Sequence, residues 1–248
     1  MKKFLTAFFC LFPSKSSNLF LKILGHKISW KSKIGFSILF VDKLELNKFS
    51  SIGHFNFIKV TSLKMDKGSI IKNLNYFKGP ISVCLGDKSV IGRLNKITRG
   101  FSSITYGKSF LKLGTGTVIT YSNFLDLTCS ITFGNHSQVA GMGSQFWTHG
   151  YVHAKEGVDR IRVDGDITIG NNVYIGTSCL FNPGVSVANA INIGGNSSIS
   201  KDLKISGMYV NQPLRYIKMD IETTKAKLKK VETPGLLDKV YSKNKIKK

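Results

Sequence analysis

Apolar residues recur at every sixth position between residues 169 and 204. Six consecutive blocks keep this phase without a gap: IGNNVY, IGTSCL, FNPGVS, VANAIN, IGGNSS and ISKDLK. The first position of each block is apolar, the second is small or Asn, and the fifth is small or aliphatic. We interpret each block as a short strand plus a corner, with three blocks closing one triangular coil. Stacked coils pair as parallel strands and bury a continuous apolar column, so the pattern predicts a β-solenoid.

Fainter copies of the block occur upstream. Residues 85–96, 113–124 and 133–144 hold two blocks each, and the phase slips near residues 125–132. Residues 34–60 alternate between apolar and polar positions and are broken by corner residues, which indicates further coils. We therefore predict that the repeat occupies most of residues 27–204. Within a block, the small residue after the inward position is expected to turn the corner, where bulk or φ is constrained.

The repeat stops between residues 144 and 166, and the interruption begins near FWTHGYVH, residues 146–153. His149 and His153 are four residues apart, as helical zinc ligands can be. The intervening GYV is not typical of a helix, so we predict no metal site. Trp147 has two open roles, as a cap on the coil below or as a wall of a sugar-binding cleft. For His153, a candidate substrate-binding residue, an exposed loop position is the simpler interpretation.

A known family shares this pattern. The repeat resembles the left-handed parallel β-helix of hexapeptide acyltransferases, and ITIGNNVYIGTSCLFNPGVSV, with ISKDL and QPLRYI after it, is similar to sugar O-acetyltransferases of the maltose, galactoside and surface-polysaccharide type. The resemblance implies an all-β, left-handed β-helix over residues 25–217 with a loop at 145–166. A short helical segment over 1–24 and a basic C-terminal helix or tail over 218–248 would flank it. Left-handedness rests on the resemblance, because parallel crossovers are usually right-handed.

The resemblance also implies a catalytic histidine where the chain leaves a coil to form an extended loop. His149 in THG occupies that point, and an imidazole can take a proton from an acceptor hydroxyl near neutral pH. YSNF, residues 121–124, matches the family motif whose asparagine faces this histidine. Asn123 is therefore a candidate donor to the acceptor or to the tetrahedral oxyanion. The alternative for Asn123 is stacking at a coil corner, and its spacing from His149 departs from the commonest family pattern.

Acetyl-coenzyme A is the acyl donor that the resemblance implies, bound along the coil edges after the loop. The family assembles as a homotrimer with the donor groove between neighbouring coils, and we expect the same of this chain. The matching motifs place four residues at the coenzyme: Thr177, Gly195, Ser200 and Lys201. Arg215 in QPLRYI matches the basic residue expected near the coenzyme phosphates.

Charge and composition add constraints on partners. The net charge of +22 favours anionic partners, although much of the lysine excess lies in end segments such as KAKLKK and KNKIKK, which we interpret as a solvated tail. No nucleic-acid-reading module is recognisable, so we expect no nucleic-acid partner. The four cysteines are widely scattered, as reduced thiols of a cytoplasmic protein would be. Residues 1–24 predict one or two short helices that rest either on a membrane surface or on the body of the fold.

Together these features predict a cytoplasmic O-acetyltransferase, membrane-associated if residues 1–24 contact lipid. It would move acetyl from acetyl-coenzyme A to a sugar hydroxyl, and a surface polysaccharide or its precursor is the expected acceptor. Two alternatives stay open. One is an N-acyltransferase that keeps the fold and the coenzyme but uses an amino sugar, and the other is a non-catalytic β-helix that acts as a scaffold.

Overall fold

The computed structural model describes residues 1–101, 103–211, 221–226, 229–230 and 241–242. Two compact units are present, Met1–Asn211 and Gln212–Lys248. The first unit opens with two short helices, α1 (Lys2–Phe9) and α2 (Ser14–Ile23), as predicted for the N-terminal segment.

Short strands make up the rest of the first unit. They are β1 (Lys27–Ile28), β2 (Lys33–Ile34), β3 (Ile38–Leu46), β4 (Ser51–Ile52), β5 (Phe57–Met65), β6 (Ile70–Ile71), β7 (Tyr76–Lys78), β8 (Ile81–Leu85), β9 (Val90–Ile91), β10 (Lys96–Thr98), β11 (Ser109–Leu113), β12 (Val118–Ile119), β13 (Phe124–Asp126), β14 (Ile131–Phe133), β15 (Gln138–Val139), β16 (Gln145–Phe146), β17 (His149–His153), β18 (Arg160–Asp164), β19 (Ile167–Ile169), β20 (Tyr174–Ile175), β21 (Leu180–Phe181), β22 (Ser186–Val187), β23 (Ile191–Ile193), β24 (Ser198–Ile199) and β25 (Gly207–Tyr209). The described elements of the second unit are α3 (Ile221–Ala226) and the antiparallel pair β26 (Lys229–Lys230) and β27 (Tyr241–Ser242).

The strands of the first unit form a left-handed parallel β-helix of about nine turns, which confirms the predicted fold. One face of the prism is a nine-stranded sheet in the order β2-β4-β6-β9-β12-β15-β20-β23-β25. The other two faces are continuous, because the nine-residue strands β3 and β5 pass from one face to the next. From β5, the second face continues through β7, β10, β13, β16, β21 and β24, and the third through β8, β11, β14, β19 and β22.

The inward positions predicted from the repeat form the core of the prism. All six first-position residues are buried: Ile169, Ile175, Phe181, Val187, Ile193 and Ile199. They fall on the third, first and second faces in turn, so each block is one side of a triangle. Equivalent residues of neighbouring coils lie over one another, and the rings of Phe146 and Phe181 stack with centroids 4.5 Å apart. This close-packed apolar column stabilises the fold by keeping its side chains out of water.

The left-handed backbone at the corners falls on the fourth residue of the block rather than the second. Asn172, Ser178 and Asn196 have φ values of 54°, 56° and 58°. The second-position Gly176 is small for a different reason, because a Cβ there would lie 2.5 Å from the backbone nitrogen of Gly195 in the next coil. The second position is therefore small because there is no space for a side chain, and not because its backbone needs a positive φ.

A ladder of buried asparagines follows the corner between the first and second faces. The backbone N–H of Asn75, Asn95 and Asn123 each donates to the side-chain oxygen of the asparagine one coil earlier, at 2.9 to 3.0 Å, and Asn56 is the first acceptor. Ser144 continues the ladder, since its N–H donates to Oδ1 of Asn123 at 3.0 Å. The ladder satisfies backbone groups that the corner removes from water.

Two insertions leave the prism at the corner between the second and third faces. Residues 99–108 follow β10, and the antiparallel hairpin β17–β18 follows β16 two coils later. The coil between them turns this corner with residues 127–130. The side chain of Arg162 on β18 donates to the backbone oxygen of Ile104, which joins the two insertions. The segment FWTHGYVH therefore lies at a corner that already carries another loop.

Candidate active site

The hairpin starts directly from the core of the prism. Phe146, the last residue of β16, is buried against Phe181, so the residues that follow it are held in register with the coil. Thr148 is also buried, and its N–H and its hydroxyl both donate to Oδ2 of Asp126, at 3.1 and 2.8 Å. His149 is then the first residue of β17, with a side chain that is 26% exposed.

His149 is paired with a buried carboxylate. Its Nδ1 lies 2.8 Å from Oδ2 of Asp126. Thr128 donates to the other carboxylate oxygen, from its backbone N–H at 3.3 Å and from its hydroxyl at 3.0 Å. Together with the two bonds from Thr148, these contacts hold Asp126 as an acceptor in a fixed orientation.

The bonding around Asp126 sets which ring nitrogen of His149 carries the proton. An ionised carboxylate only accepts hydrogen bonds, so Nδ1 is the donor in this pair. In the neutral ring Nε2 is then the unprotonated nitrogen, and no described residue is hydrogen-bonded to it. A proton taken up at Nε2 makes an imidazolium that Asp126 stabilises. The pair therefore has the geometry of a general base.

Aromatic side chains flank this imidazole on both sides. The ring of Trp147 lies 4.8 Å from that of Phe124 and 5.9 Å from that of His149, between ring centroids. Tyr151 follows at 6.1 Å from His149, with the rings at 89°, and the exposed His153 comes after it at 6.4 Å. Alternate residues of an extended strand share a face, so the residues line up. We call this set the aromatic row: Phe124, Trp147, His149, Tyr151 and His153.

Cations lie over both halves of the aromatic row. The Lys96 ammonium lies 5.8 Å from the centroid of Phe124, and the Arg160 guanidinium lies 4.9 Å from that of Tyr151. Both distances are in the range in which a cation is attracted to an aromatic face. The row is thus an aromatic strip with a cation near each end.

The thiol next to the site is not a ready nucleophile. Cys129 follows Thr128, and its backbone N–H donates to the Thr148 hydroxyl at 2.9 Å. Burial, and then the nearby carboxylates of Asp164 and Asp166, raise the pKa of the Cys129 thiol. A protonated thiol is a poor nucleophile, so the geometry favours His149 over Cys129 as the reactive group.

Asn123 does not pair with His149 in this structure. It is 2% exposed and belongs to the asparagine ladder, where its Oδ1 accepts from Ser144 and its Nδ2 donates to Asn95 at 3.2 Å. Of the two roles considered for it, these contacts support stacking at a coil corner. The residue bonded to His149 is Asp126, which our sequence analysis missed. Its signal was a carboxylate in LDLT, at the place where the phase of the repeat slips.

The residues predicted to bind coenzyme fall at two corners of the prism. Thr177 and Gly195 are stacked at the corner between the first and second faces, where a Cβ on Gly195 would lie 3.2 Å from the backbone oxygen of Thr177. Ser200 and Lys201 are exposed at the corner that carries the hairpin and line a recess of 230 Å³. Two strand spacings, about 10 Å, separate their coil from that of β16. Arg215 lies outside the described residues.

The two histidines of FWTHGYVH are the two ends of one strand, β17, and not neighbours on a helix. In the part of the chain that the structure describes, no three His, Cys, Asp or Glu side chains are grouped to hold a metal ion.

This chain is similar in structure to two solved acetyltransferases. The polysialic acid O-acetyltransferase OatWY aligns with a TM-score of 0.50 and 18% identity, over 78% of this chain and 83% of that protein. The polySia-specific acetyltransferase NeuO aligns with a TM-score of 0.50 and 20% identity, over 78% of each chain. The sequence matches no family model and no curated protein. At these identities the likeness concerns the fold, and it confirms the β-helix that the hexapeptide pattern predicted.

Proposed function

We propose that this chain is an acyl-coenzyme A-dependent acyltransferase, and specifically an O-acetyltransferase that moves acetyl from acetyl-coenzyme A to a sugar hydroxyl. The observation that carries the proposal is the pair of His149 and Asp126 beside the aromatic row, with no described residue hydrogen-bonded to Nε2 of the imidazole. The fold supports it, because both structural neighbours are acetyltransferases by name.

In the proposed reaction one proton moves twice. The acceptor hydroxyl gives its proton to Nε2 of His149 as its oxygen attacks the thioester carbonyl and forms the new C–O bond. Asp126 stabilises the imidazolium at that stage. The tetrahedral oxyanion then collapses, the C–S bond breaks, and the coenzyme thiolate takes the proton from Nε2. The histidine returns to its starting state, so the reaction needs no covalent enzyme intermediate.

For the acceptor we propose an anionic sugar polymer, such as a surface polysaccharide or its precursor. An aromatic face is a suitable wall for a sugar ring, and Trp147 lies next to His149 for that purpose, with the exposed His153 further along the row. Lys96 and Arg160 supply positive charge at the two ends. Both structural neighbours are named for polysialic acid, which is consistent with an acidic acceptor.

For the donor we propose that acetyl-coenzyme A lies along the coil edges after the hairpin, against Thr177, Gly195, Ser200 and Lys201. In the single chain the side chain of His149 is 26% exposed at the corner that carries the hairpin. A homotrimer would close the donor groove with a neighbouring chain, and we propose that assembly. We also propose a cytoplasmic location, where acetyl-coenzyme A is available as the acyl donor.

Transfer of labelled acetyl tests the proposal. The full chain is incubated with labelled acetyl-coenzyme A and a panel of nucleotide sugars, lipid-linked glycans and polysaccharides. Two matched variants are compared, His149→Asn and His136→Asn. His136 is an exposed coil residue with φ 56°, a backbone conformation that asparagine tolerates. We expect His149→Asn to lower the transfer rate at least about 10²-fold and His136→Asn to leave it unchanged.

The base stability of the labelled product and the absence of transfer each distinguish between the alternatives. Label that mild base releases is an ester, whereas label that resists it is an amide and supports the N-acyltransferase alternative. A wild-type chain that neither transfers label nor binds coenzyme A supports the scaffold alternative. Full activity in His149→Asn would show that this histidine is not the base.

A further inference from the structure

Helix α1 presents its apolar stripe to solvent instead of to the core. Phe4, Leu5 and Phe8, with Leu11 and Phe12 after the helix, recur at the three- and four-residue spacing of one helical face, and all are exposed. Phe4 is 71% exposed and Phe8 is 55% exposed. The opposite side of the helix, which contacts the prism, holds Thr6, Ala7 and Cys10. A helix of a globular protein normally has the reverse arrangement.

Helix α2 buries Leu21 in the core, but the rest of its arrangement resembles that of α1. Its buried side includes the polar Ser17 and Asn18, and Nδ2 of Asn18 donates to the backbone oxygen of Ser32 at 3.0 Å. Leu19 and Ile23 point outward, with 46% and 72% of their surface exposed. Both helices therefore expose large apolar side chains, although polar residues occupy part of their buried sides.

Aromatic contacts join the two helices. The Phe12 ring lies 5.3 Å from that of Phe8 and 6.3 Å from that of Phe20, and Phe9 stacks on Phe20 at 4.5 Å. Trp30, 59% exposed, lies just after the helices in the chain. We call this set the apolar cap: Phe4, Leu5, Phe8, Leu11, Phe12, Leu19, Ile23 and Trp30.

The orientation of α1 is held by polar contacts with the prism. The Thr6 hydroxyl lies 2.8 Å from Nε2 of the buried His26, whose Nδ1 accepts from the Leu44 N–H at 3.2 Å. Lys3 forms an ion pair with Asp42 at 3.0 Å. Rotating the helix to bury its phenylalanines would break these contacts. The contacts therefore stabilise the orientation in which the apolar stripe faces solvent.

Charge identifies the kind of surface that would cover the apolar cap. Residues 1–41 contain seven lysines and no Asp or Glu, and Asp42 is the first acidic residue. All seven lysines are exposed or half-exposed, and the Lys22 ammonium lies 4.0 Å from the centroid of Trp30. An apolar strip rimmed by lysines matches the boundary between the acyl chains and anionic headgroups of a bilayer.

A second copy of this chain is a poorer match for the apolar cap. Pairing two such surfaces would bring seven lysines toward seven lysines with no carboxylate from residues 1–41 between them. A membrane-spanning role is not indicated either. Among the described residues no helix combines the length and apolarity needed to cross a bilayer, and α1 and α2 have 8 and 10 residues.

We infer that the apolar cap docks this protein on the surface of an anionic lipid bilayer. The helices lie in the interface with Phe4 and Phe8 among the acyl chains and the lysines at the headgroups. His149 leaves the prism five coils beyond β2, so the candidate site stands on the order of 24 Å further along the prism axis. The inference does not depend on the proposed function.

Vesicle flotation of the full chain tests the docking. We expect wild type to float with phosphatidylcholine vesicles that contain phosphatidylglycerol, to bind pure phosphatidylcholine more weakly, and to dissociate as salt is raised. The double variant Phe4→Asp/Phe8→Asp should lose at least about tenfold in partitioning. Its matched control is Ile205→Asp/Met208→Asp, two residues with 75% and 74% exposure near the other end of the prism.

Sedimentation of the same proteins without lipid completes the test. Equal partitioning of the cap variant and its control, with both folded by circular dichroism, would overturn the inference. Self-association of wild type that the cap substitutions abolish, in the absence of lipid binding, would assign the apolar cap to a second copy instead. Partitioning that is lost only in the cap variant supports the inference.

Discussion

Replacing Asp126 by asparagine tests whether the carboxylate makes His149 a base. The change keeps the size of the side chain but removes its charge and one acceptor oxygen. In wild type both oxygens are used, Oδ1 by Thr128 and Oδ2 by Thr148 and His149. An amide can keep its oxygen toward Thr148 and His149 only by turning its NH₂ toward the Thr128 N–H. In the other orientation the NH₂ faces Nδ1 of His149 and favours the tautomer with the proton on Nε2.

The expected cost follows from the bond that is lost. A hydrogen bond to a charged group contributes about 1.5–3 kcal/mol, and here that bond strengthens when the imidazole becomes an imidazolium. Each 1.4 kcal/mol corresponds to a factor of about ten in rate, so kcat should fall roughly 10- to 150-fold. The KM for acetyl-coenzyme A should not change, because Asp126 is bonded within the corner and not to the proposed donor groove.

Steady-state transfer kinetics with acetyl-coenzyme A provide the assay. Asp87→Asn is the matched control, because Asp87 also accepts a backbone N–H at a coil corner, from Lys67 at 3.0 Å, but has no histidine partner. An acceptor with a more acidic hydroxyl depends less on a general base. With such an acceptor, the loss of kcat in Asp126→Asn relative to wild type should therefore be smaller. A kcat within twofold of wild type, or an equal loss with every acceptor, would refute the assigned role of Asp126.

Three further predictions concern stability and acceptor binding. Phe181→Ala opens a cavity under Phe146 and should lower the free energy of unfolding by about 3–5 kcal/mol in urea denaturation. Burial, and then Lys2, lower the pKa of His26 to about 4 from its usual 6.5, so the unfolded chain binds this proton first as pH falls. Stability should therefore drop between pH 6.5 and 4, by up to about 3 kcal/mol, and His26→Gln should flatten that part of the curve. Trp147→Ala should raise the KM for the sugar acceptor about tenfold with a smaller effect on kcat.

Each of these predictions has a result that contradicts it. The exposed Phe110 is the control for Phe181, and similar losses from Phe110→Ala and Phe181→Ala would show that coil stacking does not determine stability. A pH profile that is identical in wild type and His26→Gln would mean that His26 is not held neutral under α1. A Trp147→Ala variant with unchanged KM for the acceptor and a much lower kcat would place the indole in the chemistry rather than in binding.

The period of the sequence predicted which residues point inward. An apolar residue at every sixth position indicates short strands joined by corners, and the six first-position residues from Ile169 to Ile199 are all buried as that interpretation requires. The break after residue 144 likewise predicted where the chain leaves the coil, and His149 is found at that point. The burial of the first positions could be predicted because it concerns positions along one strand or one turn.

Contacts between coils required the tertiary structure. Coil lengths vary because insertions enter after β10 and β16, so spacing along the chain does not show which side chains share a corner. Asp126 therefore went unnoticed as the partner of His149, 23 positions away. For Asn123 the motif left two roles open, and the structure shows it hydrogen-bonded to Ser144 and Asn95 in the ladder.

The N-terminal helices show the same division. Their apolar and lysine pattern predicted short helices, and left open whether these helices contact a membrane surface or the body of the fold. A helical period shows that two faces differ but not which face turns toward the prism. The hydrogen bond between Thr6 and His26 and the ion pair of Lys3 with Asp42 fix which face of α1 contacts the prism. Both contacts join residues that only folding brings together.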